Sequence, residues 1–142
     1  MDPRLSVVTL GVASLEESQQ FYQQGLGWEP GSSDEQIVFF QLNGLILALY
    51  PREALAEDAL VPNDGKGFGG ITLAYCARSK EEVDEILNRA QSAGARITKP
   101  AQEVFWGGYS GYFADPDDHL WEVAYNPFWK IDDQGNVYLE AP

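Results

Sequence analysis

The sequence predicts an α+β fold: two tandem βαβββ modules whose curved mixed sheets enclose a pocket. Three observations predict it. Short β-branched and aromatic runs alternate with turn residues. Two Ser-x-x-Glu helix starts, Ser14 with Glu17 and Ser79 with Glu82, each precede an apolar stripe ending near a glycine. The halves also repeat: Val8 to Ile71 spans 63 positions and Ser14 to Ser79 spans 65. Near-constant offsets mark an internal duplication.

Taken in order, "LSVVTLGV" (5–12) reads as a strand. "SLEESQQFYQQG" follows as a helix with Leu15, Ser18, Phe21 and Tyr22 on its stripe and Gly25 at C′. A short strand is expected near Leu26 to Glu29. "EQIVFFQLNGLILALY" is two strands joined by Asn43-Gly44, the dipeptide of a type I′ hairpin turn. That turn pairs Leu42 with Leu45, Phe40 with Leu47 and Val38 with Leu49. "GGITLAYC" (69–76) restarts the pattern. A helix from Ser79 to Gly94 carries Val83, Ile86, Leu87 and Ala90. Strands "ARI" (95–97), "GYSGYFA" (108–114) and "HLWEVAY" (119–125) complete it. Module one is thus 5–50, a linker with a short helix 51–68, module two 69–126 and a C-terminal extension 127–142, all in one domain. "GFGG" within 67–70 follows no strand and lacks the Lys-Ser/Thr ending of a phosphate loop.

The 142 residues suit one core, and 44% hydrophobic content excludes a disordered chain. Nine basic against 22 acidic residues give a net charge of −13. That field repels phosphate backbones and anionic lipid, so neither nucleic acid nor membrane is an expected partner. It also attracts cations. No apolar run is long enough to span a bilayer. The opening residues have no basic-then-apolar leader. The lone Cys76 sits in a predicted strand as a small buried hydrophobe. One thiol forms no internal disulfide, and a cytoplasmic location is expected.

"VTLGVASLEESQQFYQQGLGW" (8–28) and "GYFADPDDHLWEV" (111–123) resemble the vicinal oxygen chelate superfamily. That group comprises glyoxalase I, bleomycin-resistance and fosfomycin-resistance proteins and extradiol dioxygenases. The second stretch is similar to the family's Asp-Pro-Asp-Gly-His hairpin, with Asp118 where Gly is usual. The resemblance covers about residues 5–126 and implies a two-fold dimer. It also implies four metal-ligand positions, which here hold Val7, Leu47, Gly70 and Glu122. Val, Leu and Gly carry no donor atoms, and a catalytic divalent site needs about three protein ligands. No cofactor is therefore expected, although a divalent metal held by other acids stays open. His119, the only histidine, differs from Glu122 by an odd number. On a strand the two point to opposite faces, so His119 is expected to hydrogen-bond the Asp115–Asp118 loop.

The resemblance implies that Glu122 faces the pocket. Alternation then puts Leu120, Ala124, Ser110, Tyr112 and Ala114 on the same face, with Trp121 and Val123 under the helix. In module one, Leu47 brings Phe40 inward, and Thr9 and Val7 flank the inner side of the first strand. Trp106, in "VFWGGY", sits on the approach. Glu122 has three readings: a buried acid, an anchor for a cationic or hydroxylated ligand, or a general base with burial-raised pKa and Tyr112 as acid or oxyanion donor. Three functions follow. One is a metal-free protein binding a small, partly aromatic or cationic molecule. Another is a metal-free enzyme using Glu122. The third is a divalent-metal lyase, isomerase or dioxygenase of the glyoxalase type. Phe128, Trp129 and Tyr138 in a predicted tail hairpin cover either the pocket mouth or a subunit contact.

Overall fold

The computed structural model describes residues 1–139 and divides the chain into two compact units, the first ending at Gly70 and the second starting at Ile71. In the first unit, β1 (Val7–Val12), β2 (Val38–Gln41) and β3 (Ile46–Pro51) form a mixed sheet in the order β1-β3-β2. Helix α1 (Leu15–Gln20) packs on it, and α2 (Arg52–Asp58) is the expected short linker helix. In the second unit, β4 (Leu73–Ala77), α3 (Lys80–Ser92), β5 (Arg96–Glu103), β6 (Tyr109–Ala114) and β7 (Leu120–Tyr125) give a sheet ordered β4-β7-β6-β5. The tail forms the expected small hairpin, β8 (Lys130–Ile131) with β9 (Val137–Tyr138). Residues 140–142 of the expected extension lie outside the described residues. No helix among the described residues is long and apolar enough to cross a membrane.

Both helix starts form as read. Ser14 Oγ accepts the Glu17 N–H at 3.2 Å, and Ser79 Oγ accepts the Glu82 N–H at 3.1 Å. The second box reaches one residue further back than expected. Glu82 Oε2 takes the Arg78 N–H at 2.6 Å, while Oε1 takes the Tyr75 hydroxyl at 2.9 Å. Val83, Leu87 and Ala90 of α3 are buried. Tyr22, fully buried, packs its ring against Phe21, Trp28 and Phe40 at centroid distances of 5.0, 5.4 and 6.1 Å.

Several sequence expectations are corrected. The first helix does not place Gly25 at C′. It widens into a π-helical turn over Phe21–Gly25, with Leu26 N–H on Phe21 O at 2.9 Å, and the positive φ (82°) falls at Gly27. The strand expected at 26–29 shrinks to one bridge, Pro30 with Phe40. Proline cannot donate to a ladder, and Asp34 Oδ1 instead captures the Gln36 and Ile37 N–H groups in a loop. The Asn43-Gly44 turn is not type I′, because only Gly44 has positive φ (85°). Its register nevertheless matches: Phe40 pairs with Leu47 and Val38 with Leu49. The strand expected from Gly69 starts at Leu73, since Gly70 has φ 82°. The strand expected at 95–97 is the longer β5, an edge strand that tolerates Pro100 through two register shifts.

Gly111 in β6 sets the seat of α3. A Cβ there would lie 2.8 Å from Leu87 Cδ1 and 2.9 Å from the Ala101 N and Lys99 O backbone atoms. Two of those three neighbours cannot swing away. Gly111→Ala should therefore destabilise the protein by about 2 kcal/mol or more through overpacking. Gly69→Ala, which meets nothing within 4 Å, should change stability by less than about 0.5 kcal/mol. Urea denaturation of the two variants checks the contrast.

Candidate functional site

The β6–β7 ladder pairs Tyr112 with Glu122, Ser110 with Ala124 and Ala114 with Leu120. Directly opposed residues share a face, so these six side chains lie together. Beside them on β4, Ala74 pairs with Glu122 and Cys76 with Ala124. The other face carries Gly111, Phe113, Trp121 and Val123 toward α3, with Phe113 and Trp121 stacked at 6.2 Å. The alternation expected for the second unit is thus the observed one.

Tyr112 stands directly opposite Glu122 across the ladder. Burial, then the charge and hydrogen-bonding capacity of the Glu122 carboxylate, hold the Tyr112 phenol above its ordinary pKa. Burial and the same charge raise the Cys76 thiol. A raised thiol is a poor nucleophile, and Cys76 is half-buried, more open than the small core residue expected. Ser110 is 3% exposed and Glu122 half-buried. The face is therefore largely shielded, with one carboxylate, one phenol held neutral and one hydroxyl.

The first unit corrects the sequence reading. Phe40 and Leu47 are a pair, each 1% exposed, and Phe40 packs on Tyr22 and Trp28. They belong to the helix side of the sheet and do not face a pocket. Val7 and Thr9, both exposed, pair with the half-buried Ile46 and the buried Ala48 on the opposite side. Val7 and Leu47 therefore cannot be two ligand positions of one ion. The residues sharing Val7's face, Ile46 and Ala48, also lack donors. In the second unit Ala74 stands across from Glu122, while Gly70, the last residue of the first unit, lies outside any strand. The family's metal arrangement thus does not fit these residues. Trp106 folds onto Gly108, where a Cβ would overlap its ring and stand 2.7 Å from Tyr125 O. Its position follows from that packing.

His119 behaves as read. Its Nδ1 lies 2.9 Å from Asp115 Oδ2, and Asp115 Oδ1 accepts the Asp117 and His119 N–H groups at 2.9 Å each. Asp115 is buried, and its neighbour Asp118 holds positive φ (66°) where the family has glycine. Sequence reading did not single out this set for a metal, yet Asp115, Asp117 and His119 bring potential ligand atoms within 4.8 Å of one another. Both Asp115 oxygens are already committed to holding the turn. The "ADPDDH" run carries the signal: its first acid caps the loop and its histidine returns to that acid.

A family model described as Glyoxalase/Bleomycin resistance protein/Dioxygenase superfamily matches residues 4–123. The chain is similar to a glyoxalase-related enzyme from Fulvimarina pelagi, at 39% identity, TM-score 0.91, over 98% of this chain and 99% of that one. It is also 29% identical to the fosfomycin resistance protein FosX of Listeria innocua, over 84% of this chain and 86% of that protein. At 24% identity, the lactoylglutathione lyase of Agrobacterium tumefaciens shares the fold, with TM-score 0.69 over 93% of this chain and 100% of that one. The chain belongs to the Glyoxalase/Bleomycin resistance protein/Dioxygenase superfamily.

Two outcomes follow. Asp115→Ala strips a buried acceptor from three donors and should cost about 3 kcal/mol in urea unfolding, with Asp115→Asn in between. Glu122→Gln removes a negative charge beside Tyr112. The Tyr112 phenol should then ionise at lower pH than in the wild type, read at 295 nm against a Tyr112→Phe control.

Proposed function

We propose that this superfamily member binds a small, partly aromatic or cationic molecule on the Glu122 face of β4, β7 and β6, without a catalytic metal. One observation carries the reading. Glu122 stands opposite Tyr112 and is the one carboxylate on a face it shares with Ala74, Cys76, Ala124 and Leu120, which gives fewer than the about three ligands a catalytic divalent ion needs. A half-buried acid with a neutral phenol beside it suits a cation or a donor-rich ligand. The net charge of −13 favours arrival of a cation. Ser110 and Tyr112 supply the orienting hydroxyls. Thr9 and Val7, exposed on their own sheet, are further ligand-binding candidates, as is Trp106. The protein works as a homodimer in the cytoplasm, with the exposed Phe128 and Tyr138 at the subunit contact and Trp129 at a pocket mouth.

A second reading has a specific observation behind it. The Tyr112 phenol, held neutral directly opposite the Glu122 carboxylate, sets an acid beside a base, the arrangement of general acid–base catalysis. Glu122 would then abstract a proton and Tyr112 return one, on a molecule of the kind that the fosfomycin resistance relative's name suggests.

Isothermal titration with phenyltrimethylammonium separates the anchor from a structural acid. Wild type should bind saturably, Glu122→Gln about tenfold more weakly, or about 1.4 kcal/mol, and Tyr112→Phe by a smaller factor. Equal affinity in wild type and Glu122→Gln would remove Glu122 as the anchor.

A further inference from the structure

We propose that a cleft at the C-terminal ends of β4 and β7 binds a small planar carboxylate. The cleft has a volume of about 210 Å³, and its lining includes Arg78, Tyr125, Asn126, Trp129 and Ile131. Arg78 follows β4, Tyr125 ends β7, and Trp129 and Ile131 come from the tail. Trp129 and Ile131 lie beyond residues 4–123 that the family model matches. The extension therefore builds this cleft, and it is separate from the Glu122 face.

Arg78 is the charge that defines the ligand. Its guanidinium spends one N–H group, on Asp132 O at 2.7 Å. The carboxylates around it are turned to other donors. Asp132 Oδ1 accepts the Gln134 and Asn136 N–H groups at 3.0 and 2.8 Å. Its Oδ2 accepts Asn136 Nδ2 and the Tyr138 hydroxyl at 3.0 and 3.2 Å. These donors hold the Asp132 carboxyl below its ordinary pKa, the Asn136 side chain contributing most. Glu82 is bound to the Arg78 N–H and the Tyr75 hydroxyl. The rest of the guanidinium fork stays available at the cleft, and it remains charged at every working pH.

The other lining groups narrow the chemistry. Asn126 uses its amide oxygen on the Phe128 N–H at 2.9 Å, which leaves its NH₂ group as a donor. Trp129 and Tyr125 offer flat apolar surface. A guanidinium fork takes a carboxylate with two parallel hydrogen bonds, and a ring attached to that carboxylate can lie against the aromatics. The chain's overall negative charge is screened beyond roughly 8 Å at physiological salt, so the local cation decides.

The test is a ¹H–¹⁵N NMR titration of the full chain with benzoate, benzamide and acetate. Benzoate should shift the Arg78 Nε–H, Trp129 Nε1–H and Asn126 NH₂ signals saturably. Benzamide, which lacks the charge, and acetate, which lacks the ring, should bind at least tenfold more weakly. Arg78→Gln should lower benzoate affinity at least tenfold. Unchanged Gln134 and Asn136 amide shifts would show that the tail turn stands in that variant. Should Arg78→Gln disturb the turn, Trp129→Leu provides the independent variant, with several-fold weaker benzoate binding. No saturable shift at these three groups, equal response to benzamide, or undiminished affinity in a variant with an intact turn would overturn the proposal.

Discussion

Pairing Tyr112 with Glu122 across β6 and β7 is the constraint on which the second unit depends. A slip of one residue would put Trp121 and Val123 on the side Glu122 now occupies and bring Glu122 under α3. Burying an unpaired carboxylate there would cost several kcal/mol. The same ladder fixes Gly111 opposite Val123, where the β5 backbone at Lys99 and Ala101 and the Leu87 side chain of α3 leave no room for a Cβ. The Asp115 turn closes the hairpin at its far end: Asp115 N–H donates to His119 O at 2.9 Å, and the buried carboxylate gathers the loop's N–H groups. Register, helix seat and turn thus reinforce one another.

That parity also decides the chemistry. It sets Glu122 beside Tyr112, Ala74 and Cys76 and turns His119 away toward Asp115. An imidazole and a carboxylate three positions apart look like half of a metal site in the sequence. On a strand they serve different ends, one a turn and the other the largely shielded face of β6 and β7. The Asp115–Asp117–His119 set gathers ligand atoms, but the Asp115 carboxylate and the His119 ring spend theirs on hydrogen bonds within the loop.

Strand pairing, both helix starts and the face occupied by Glu122 were legible in the sequence because alternation and capping are local rules. The first unit was less legible. Its face assignment rested on placing the family's ligand at Leu47, one residue from Ile46 and Ala48, which share the side of Val7. One position of error inverts a strand, so Phe40 and Leu47 went to the wrong side. The π-turn at Phe21–Gly25 and the loss of the strand after it depend on Tyr22 packing against Trp28 and Phe40, contacts that no local pattern encodes. The cleft at Arg78 needs the tail hairpin folded back, again a tertiary fact.

The most direct measurement is metal content. The purified, tag-free protein would be incubated with Ni²⁺, Mn²⁺, Fe²⁺ and Zn²⁺, desalted and assayed by elemental mass spectrometry alongside Glu122→Ala. With one carboxylate and one thiol on that face, short of the about three ligands a catalytic ion needs, wild type and variant should retain the same substoichiometric metal. Near-stoichiometric metal in wild type that is lost in Glu122→Ala would contradict the metal-free reading and make Glu122 a ligand.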